Sequence, residues 1–286
     1  MIYFVTVNYY SLVLIERLID SIKPEKDRQI IVINNSPDEE VISENLKKDA
    51  IIFIDAGENL GFGRACNIGL QWVYERDRRA FVWIINPDAY LEENASEQAL
   101  LFFHHHPEIS LLGTAIYEPN GKIWSGGGKF IPQDGTILPI EESIEESSFY
   151  QPVDWISGCS LLINLRKFSE CPYFEPDFFL YYEDFDFCRR YASQGHIIAT
   201  TSKIRVIHHP SSITSRYPDL KQQHATYSYL LALEKHASSV VLWWRLAKMT
   251  ISALVVMPFQ PKMAINKLKG VALYCKRVIL VWGIHY

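Results

Sequence analysis

The feature that most constrains this sequence is the apolar run Phe81-Val82-Trp83-Ile84-Ile85, which breaks off at Asn86-Pro87-Asp88. Five large apolar residues with no polar alternate read as a strand covered on both faces, as inside a parallel sheet. Proline has no N–H to offer a neighbouring strand, so the ladder stops there. Asp88 then stands at the carboxyl end of a central strand, where open α/β sheets take their ligands. A carboxylate at that point can hold a divalent cation on a nucleotide diphosphate. The plainer reading is an Asx turn that only ends the strand.

The chain before this run alternates strand and helix. Ile2–Val7 reads as a strand ending in Asn8, and Ser11 can cap a helix carrying Leu14, Leu18 and Ile22 until Pro24 stops it. Gln29–Ile33 is a second strand ending in Asn34-Asn35-Ser36-Pro37. A charged helix over Glu39–Lys48 and a third strand over Ile51–Ile54 follow. This order predicts a parallel sheet with right-handed crossovers. Next come Asn59-Leu60-Gly61-Phe62-Gly63-Arg64-Ala65-Cys66-Asn67, two glycines at the start of a helix. They suit a backbone that approaches a phosphate, with Arg64 and Asn67 a turn apart as polar contacts. Position 66 is Cys where a dinucleotide fingerprint needs a third glycine, and a loop that merely requires positive φ reads equally from glycine alone.

After the central strand the pattern predicts a helix over Ala95–His105, with His104–His106 as its solvated end. Adjacent helical residues diverge by about 100°, so those three histidines do not chelate together. Glu118–Gln151, rich in Gly, Pro, Ser and Glu, reads as a loop region over the sheet, a candidate acceptor lid. Val153–Ile163 reads as a strand that Gly158 lets another group approach. An aromatic strand, Phe178–Tyr182, then leads into Glu183-Asp184-Phe185-Asp186 at the start of a helix ending near Gly195. First-turn acids and pairing with Arg189 or Arg190 account for Asp186. They account poorly for Glu183 and Asp184, two adjacent acids among aromatics. Strands over His196–Thr200 and Lys203–Ile207 deliver His208-His209, either packed polar residues or cation ligands.

With 286 residues, 48% of them hydrophobic and 21% charged, the chain holds one large α/β domain or two small ones and is not disordered. Five cysteines without a C-x-x-C pair fit free thiols in a reducing compartment, and the N-terminus lacks the basic region of a signal peptide. A cytoplasmic protein is expected, with no nucleic acid partner.

Six segments, read together, resemble inverting glycosyltransferases of family 2 with the GT-A fold, above all the rhamnosyltransferase type that builds bacterial surface polysaccharides. They are Val5–Tyr9, Asn59–Gly69, Asn86-Pro87-Asp88, Trp155–Cys159, Phe179–Asp186 and Val206–His209, together spanning roughly residues 1–215. The resemblance implies a mostly parallel, Rossmann-like sheet flanked by helices, and a nucleotide-sugar donor (dTDP- or UDP-linked) with Mn²⁺ or Mg²⁺. It implies a saccharide or lipid-linked saccharide acceptor. It places the nucleotide pocket at Thr6, Asn8, Asn34, Asn59, Arg64, Asn67, Asn86 and Asp88, the metal at Asp88 and His208, and the general base at Asp184, with Glu183 tuning it. The chain departs from the family in having Asn34 where an Asp usually precedes Asn, which leaves the base contact open, and in Asn86-Pro87-Asp88 in place of Asp-x-Asp. A sugar nucleotidyltransferase and a catalytically silent glycan-binding scaffold are the rival readings.

The division of charge sets a boundary at about residue 236. Residues 1–236 carry 21 Lys and Arg against 33 Asp and Glu, whereas residues 237–286 carry seven basic groups and no acid. The first segment reads as the catalytic domain. In the second, Val240–Phe259 and Ala264–Gly283 read as a basic, amphipathic helical extension. It lies peripherally on the anionic inner face of the cell membrane, or packs on the catalytic domain or another subunit.

Overall fold

The computed structural model describes residues 1–23, 27–39, 51–125, 127–140, 149–209 and 218–283. The elements in chain order are β1 (Ile2–Asn8), α1 (Leu12–Ile22), β2 (Arg28–Asn34), β3 (Ile51–Asp55), α2 (Phe62–Arg76), β4 (Phe81–Ile85), β5 (Ala89–Leu91) and α3 (Ala95–His105). They continue with β6 (Ile109–Tyr117), β7 (Ile123–Ser125), β8 (Gly128–Ile131), β9 (Thr136–Pro139), β10 (Gln151–Pro152), β11 (Ser160–Asn164), α4 (Glu183–Ser193) and β12 (Ile197–His208). Helices α5 (Pro218–His236), α6 (Ser239–Val256) and α7 (Pro261–Gly283) complete the fold.

The main sheet runs β10-β12-β6-β11-β4-β1-β2-β3, with β5 added to β12 and β7 to β6. Strands β1–β4 are mutually parallel, as their alternation with helices requires. β11 is inserted antiparallel between β4 and β6, and β12 lies parallel to β6. The carboxyl ends of β1, β2, β4 and β12 therefore share one edge, and the chain enters β11 from that same edge.

Successive residues of a strand face opposite sides, so an unbroken apolar strand needs two covers. Phe4, Trp83 and Ile85 pack with Ile15, Leu18 and Ile19 of α1 and with Ala99 and Phe103 of α3. Val5, Val82 and Ile84 pack on the other face with Leu70 and Val73 of α2 and Phe187 of α4. Each such fully buried side chain contributes about 1.5–3 kcal/mol. A third cluster lies outside the sheet, where Leu230, Leu233, Leu242, Val271 and Tyr274 of α5–α7 enclose Phe130, Phe178 and Phe185.

Several local expectations change. Residues 118–151 are not loop throughout: β7 extends the sheet edge, and β8 and β9 form a separate hairpin. Gly126 and the acidic run 141–146 lie outside the described residues, as does most of the Glu39–Lys48 helix. Phe178–Tyr182 is not a strand but a tight turn region, with Tyr181 and Tyr182 at φ 69° and 64°. Val153–Ile163 is a strand only from Ser160, because Gly158 sits in the turn before it. The two strands expected over 196–207 are one, β12, with a register shift between Thr201 and Arg205.

Candidate active site

Pro87 ends β4 as its missing N–H requires, and the turn behind it is fixed by Asn86 N–H donating to Cys159 O (3.0 Å) and Ala89 N–H to Asn86 O (3.1 Å). Asp88 is thereby carried over the sheet edge, buried at 7% exposure. Across from it β12 ends at His208, paired in register with Ala89, and His209 N–H donates to Asp88 O. His208 Nε2 lies 3.2 Å from Asp88 Oδ1. The imidazole is buried edge-on to Trp124, ring centres 4.6 Å apart, and its Nδ1 has no partner among the described residues.

Glu183 and Asp184 open α4, and their placement depends on the turn before it. Two consecutive non-glycine residues in the left-handed region cost of order 1–3 kcal/mol each, a strain that persists only where the surroundings over-determine it. Here Ser228 of α5 donates to Leu180 O (2.8 Å), Phe62 N–H donates to Phe179 O (3.1 Å), and the Tyr182 and Tyr229 rings pack 5.6 Å apart. Gly61, at φ +81°, completes the brace: a Cβ there would lie 2.0 Å from Phe179 O. The close approach that the glycine loop provides is thus to the 174–183 segment.

Asp184 accepts from Gly158 N–H through Oδ2 (2.8 Å) and from Phe185 N–H through Oδ1 (2.8 Å). Burial pushes its carboxyl up, opposed by those N–H groups. Glu183 is buried at 5% exposure with Oε2 unpartnered among the described residues. Burial, then the adjacent Asp184, push it up to about 8. Burial pushes the Cys159 thiol well up, and Asp88 and Asp184 add to that shift. The hydrogen bonds of the adjacent Gly158 and Cys159, to Asp184 and from Asn86 N–H, tie together the turns that carry Asp88 and Asp184. Asp186 is different. Burial alone would raise it, but His236 (2.8 Å) and Arg190 (2.7 Å) hold it below the usual carboxylate range. Arg189 pairs instead with Asp154. The His236 partner carried no sequence signal, because it lies 50 residues away at the end of α5.

The expected nucleotide residues divide. Asn8 and Asn34 meet across neighbouring strands (3.1 Å), and Asn8 also bonds Ser11 and Glu39. Asn59 Oδ1 accepts from Gly61 N–H and from Asn35 Nδ2. Asn35, which the sequence reading passed over, also takes Leu60 N–H (2.8 Å) and so ties the end of β2 to the glycine loop. Arg64 is exposed on the first turn of α2. Asn67 is held elsewhere, donating to Phe174 O (2.8 Å) and accepting from Phe174 N–H (2.7 Å). Thr6 is fully buried inside the sheet.

The chain as a whole has known counterparts. The family described as Glycosyl transferase family 2 matches residues 3–193. An N-acetylglucosaminyl-diphospho-decaprenol L-rhamnosyltransferase of Mycobacterium tuberculosis is 26% identical, over 81% of this chain and 82% of its own length. A mannosyltransferase of Pyrobaculum calidifontis, solved with GDP-Man and Mn²⁺, superposes with a TM-score of 0.55 at 12% identity, over 96% of this chain and 86% of that one. GalNAc-T7, solved with UDP, GalNAc and Mn²⁺, gives a TM-score of 0.58 at 14% identity, over 73% of this chain. This chain spans 43% of that longer structure. The fold shared with these structures is the GT-A fold, with helices added at the C-terminus. The chain belongs to glycosyl transferase family 2, with a rhamnosyltransferase-like sequence.

Proposed function

We propose that this protein moves a sugar, rhamnose or another hexose, from a dTDP- or UDP-linked donor to a hydroxyl of a glycan or lipid-linked saccharide. The transfer proceeds with inversion and serves surface polysaccharide synthesis. The observation that carries this reading is that the Asp88–His208 pair and Asp184 sit on turns joined through Gly158 and Cys159, which bond Asp184 and Asn86 at the carboxyl edge of the sheet. The polar strand ends Asn8, Asn34 and Asn35 with the Asn59–Gly61 loop form the nucleoside side.

Asp88 and His208 fit a divalent cation. Their side chains already touch, both are buried, and no third His, Cys, Asp or Glu groups with them among the described residues. Asp88 and His208 would hold Mg²⁺ or Mn²⁺ as its two protein ligands. When bound, such a cation neutralises the charge that develops on the departing diphosphate.

Asp184 supplies the base. Gly158 and Phe185 each occupy one lone pair on its two oxygens, fixing the carboxylate's orientation while leaving acceptor capacity. As the acceptor oxygen bonds to the anomeric carbon, the bond from that carbon to the diphosphate breaks and the hydroxyl proton passes to Asp184. Burial that lifts the carboxyl toward neutrality makes it a better base. Glu183, neutral below about pH 8, orients the turn without adding a second charge. The exposed Trp243 and Trp244 on α6, a helix long and apolar enough by length and composition to cross a membrane, support a peripheral position on the inner face of the cell membrane.

The test is calorimetric titration of dTDP- and UDP-sugars with Mn²⁺ or Mg²⁺ into wild type and Asp88→Ala. The variant is expected to lose cation-dependent donor binding. Unchanged affinity and unchanged cation dependence would remove Asp88 from the site.

A further inference from the structure

A cavity of about 370 Å³ lies between α5, α6 and α7, away from the sheet edge but bordered by Tyr182. Its wall carries three cations, Arg245, Lys248 and Lys267, together with the hydroxyls of Thr226 and Ser252, and no carboxylate among the described residues. Arg245 is partly satisfied by Asp134 and Thr136. Lys267 reaches only Ser252 Oγ (3.3 Å), and Lys248 forms no ion pair among the described residues. Cations gathered in a concave space repel one another unless an anion lies between them.

The cavity does not stand alone. Lys248 and Ser252 also line an adjoining groove of about 400 Å³, whose other walls include Trp244, Ile251, Val255 and Val256. Trp244, Ile251 and Val255 are 60–64% exposed and follow one another at helical spacing along one face of α6. The cavity is also lined by Tyr182, the residue before Glu183 and Asp184, whose ring packs at a tilt 5.6 Å from that of Tyr229 of α5. The basic cavity therefore borders the apolar groove through Lys248 and Ser252, and the turn before the candidate base through Tyr182.

We infer that this cavity seats the diphosphate of a lipid-linked acceptor, with Lys248 and Lys267 on its oxygens and the isoprenoid chain along the α6 groove. The sugar joined to that diphosphate then extends past Tyr182 and presents its hydroxyl to Asp184. This assignment rests on the transferase reading and narrows the acceptor to a saccharide on a prenyl diphosphate. Charge complementarity selects the diphosphate, and the exposed aromatic and aliphatic face selects the chain.

Farnesyl diphosphate is a soluble probe for this site, measured by calorimetry on the full chain without divalent cation. Lys248→Ala and Lys267→Ala should each weaken its binding about tenfold, the loss expected for a hydrogen bond to a charged group. Asp88→Ala should leave it unchanged, and farnesol and inorganic pyrophosphate should each bind more weakly than the probe. Lysine variants that bind as wild type would overturn the assignment. So would pyrophosphate matching farnesyl diphosphate, or loss of binding in Asp88→Ala, which would put the probe in the donor site. Flotation with phosphatidylglycerol vesicles provides a further arm. If the lysine variants lose vesicle binding but keep farnesyl diphosphate, the cations serve bilayer headgroups and the assignment fails. None of these readouts needs turnover, so an inactive protein that still binds the probe through its lysines would count against the transferase reading alone.

Discussion

Two adjacent carboxyls at the start of α4 have different surroundings, and the difference sets what each can do. Asp184 receives N–H groups on both oxygens, whereas Glu183 is buried against Gly63 with one oxygen unpartnered among the described residues. Glu183 holds its proton to about pH 8 in the folded chain, while an unfolded chain releases it in the ordinary carboxylate range. The folded state therefore binds more protons across that window, and its stability falls as pH rises through it. Glu183→Gln should flatten this loss, seen as a smaller decline in urea midpoint between pH 5 and 8 than wild type shows. Equal declines would mean that Glu183 does not titrate there. Asp184→Asn keeps the shape and removes the basicity, so turnover should drop by about the 10²–10⁴-fold that general base catalysis supplies. Donor affinity measured calorimetrically should change little. A loss residing wholly in donor binding would move the base elsewhere.

The elements were legible in the sequence wherever one rule governed them. The run before Pro87 is β4 over Phe81–Ile85, and the helix expected over Ala95–His105 is α3, because apolar spacing and a proline stop act locally. Phe178–Tyr182 misled because β propensity reflects packing on a pleated surface, and these aromatics pack instead against α5 and the glycine loop. Asp88 and His208 stand out at strand ends and Asp184 as one of two adjacent acids, while their roles follow from the family resemblance; the partners Gly158, Asn35 and His236 come from contacts across the fold. By sequence the tail carries seven basic groups and no acid of its own. In the structure Arg245 pairs with Asp134, and Arg277 with Asp177 and Glu234. Leu242, Val271 and Tyr274 share a core with Phe178 and Phe185, so deleting the chain after His236 would uncover that core as well as remove a membrane contact. Replacing Trp243 and Trp244 by serine is the cleaner test, since both are more than half exposed. The double variant should keep its thermal midpoint and partition less onto anionic vesicles. Unchanged partitioning would favour packing on another subunit over membrane contact.

Across the whole molecule, the proposed reaction path joins one sheet edge to one helical bundle, with Tyr182 lining the bundle's cavity. The edge gathers the groups proposed for a nucleotide diphosphate, and the bundle braces the strained turn that carries Asp184 through Ser228 and Tyr229. A single carboxylate base facing a bound donor, with no covalent intermediate, transfers the sugar in one displacement and must invert its anomeric carbon. The most direct measurement is therefore the anomeric configuration of the transferred sugar, read by NMR on product made from a dTDP- or UDP-sugar and a prenyl-diphosphate saccharide. The account predicts a configuration opposite to the donor's, formed by wild type and nearly absent with Asp184→Asn. A product that retains the donor's configuration, or a full yield of inverted product from the variant, would contradict it.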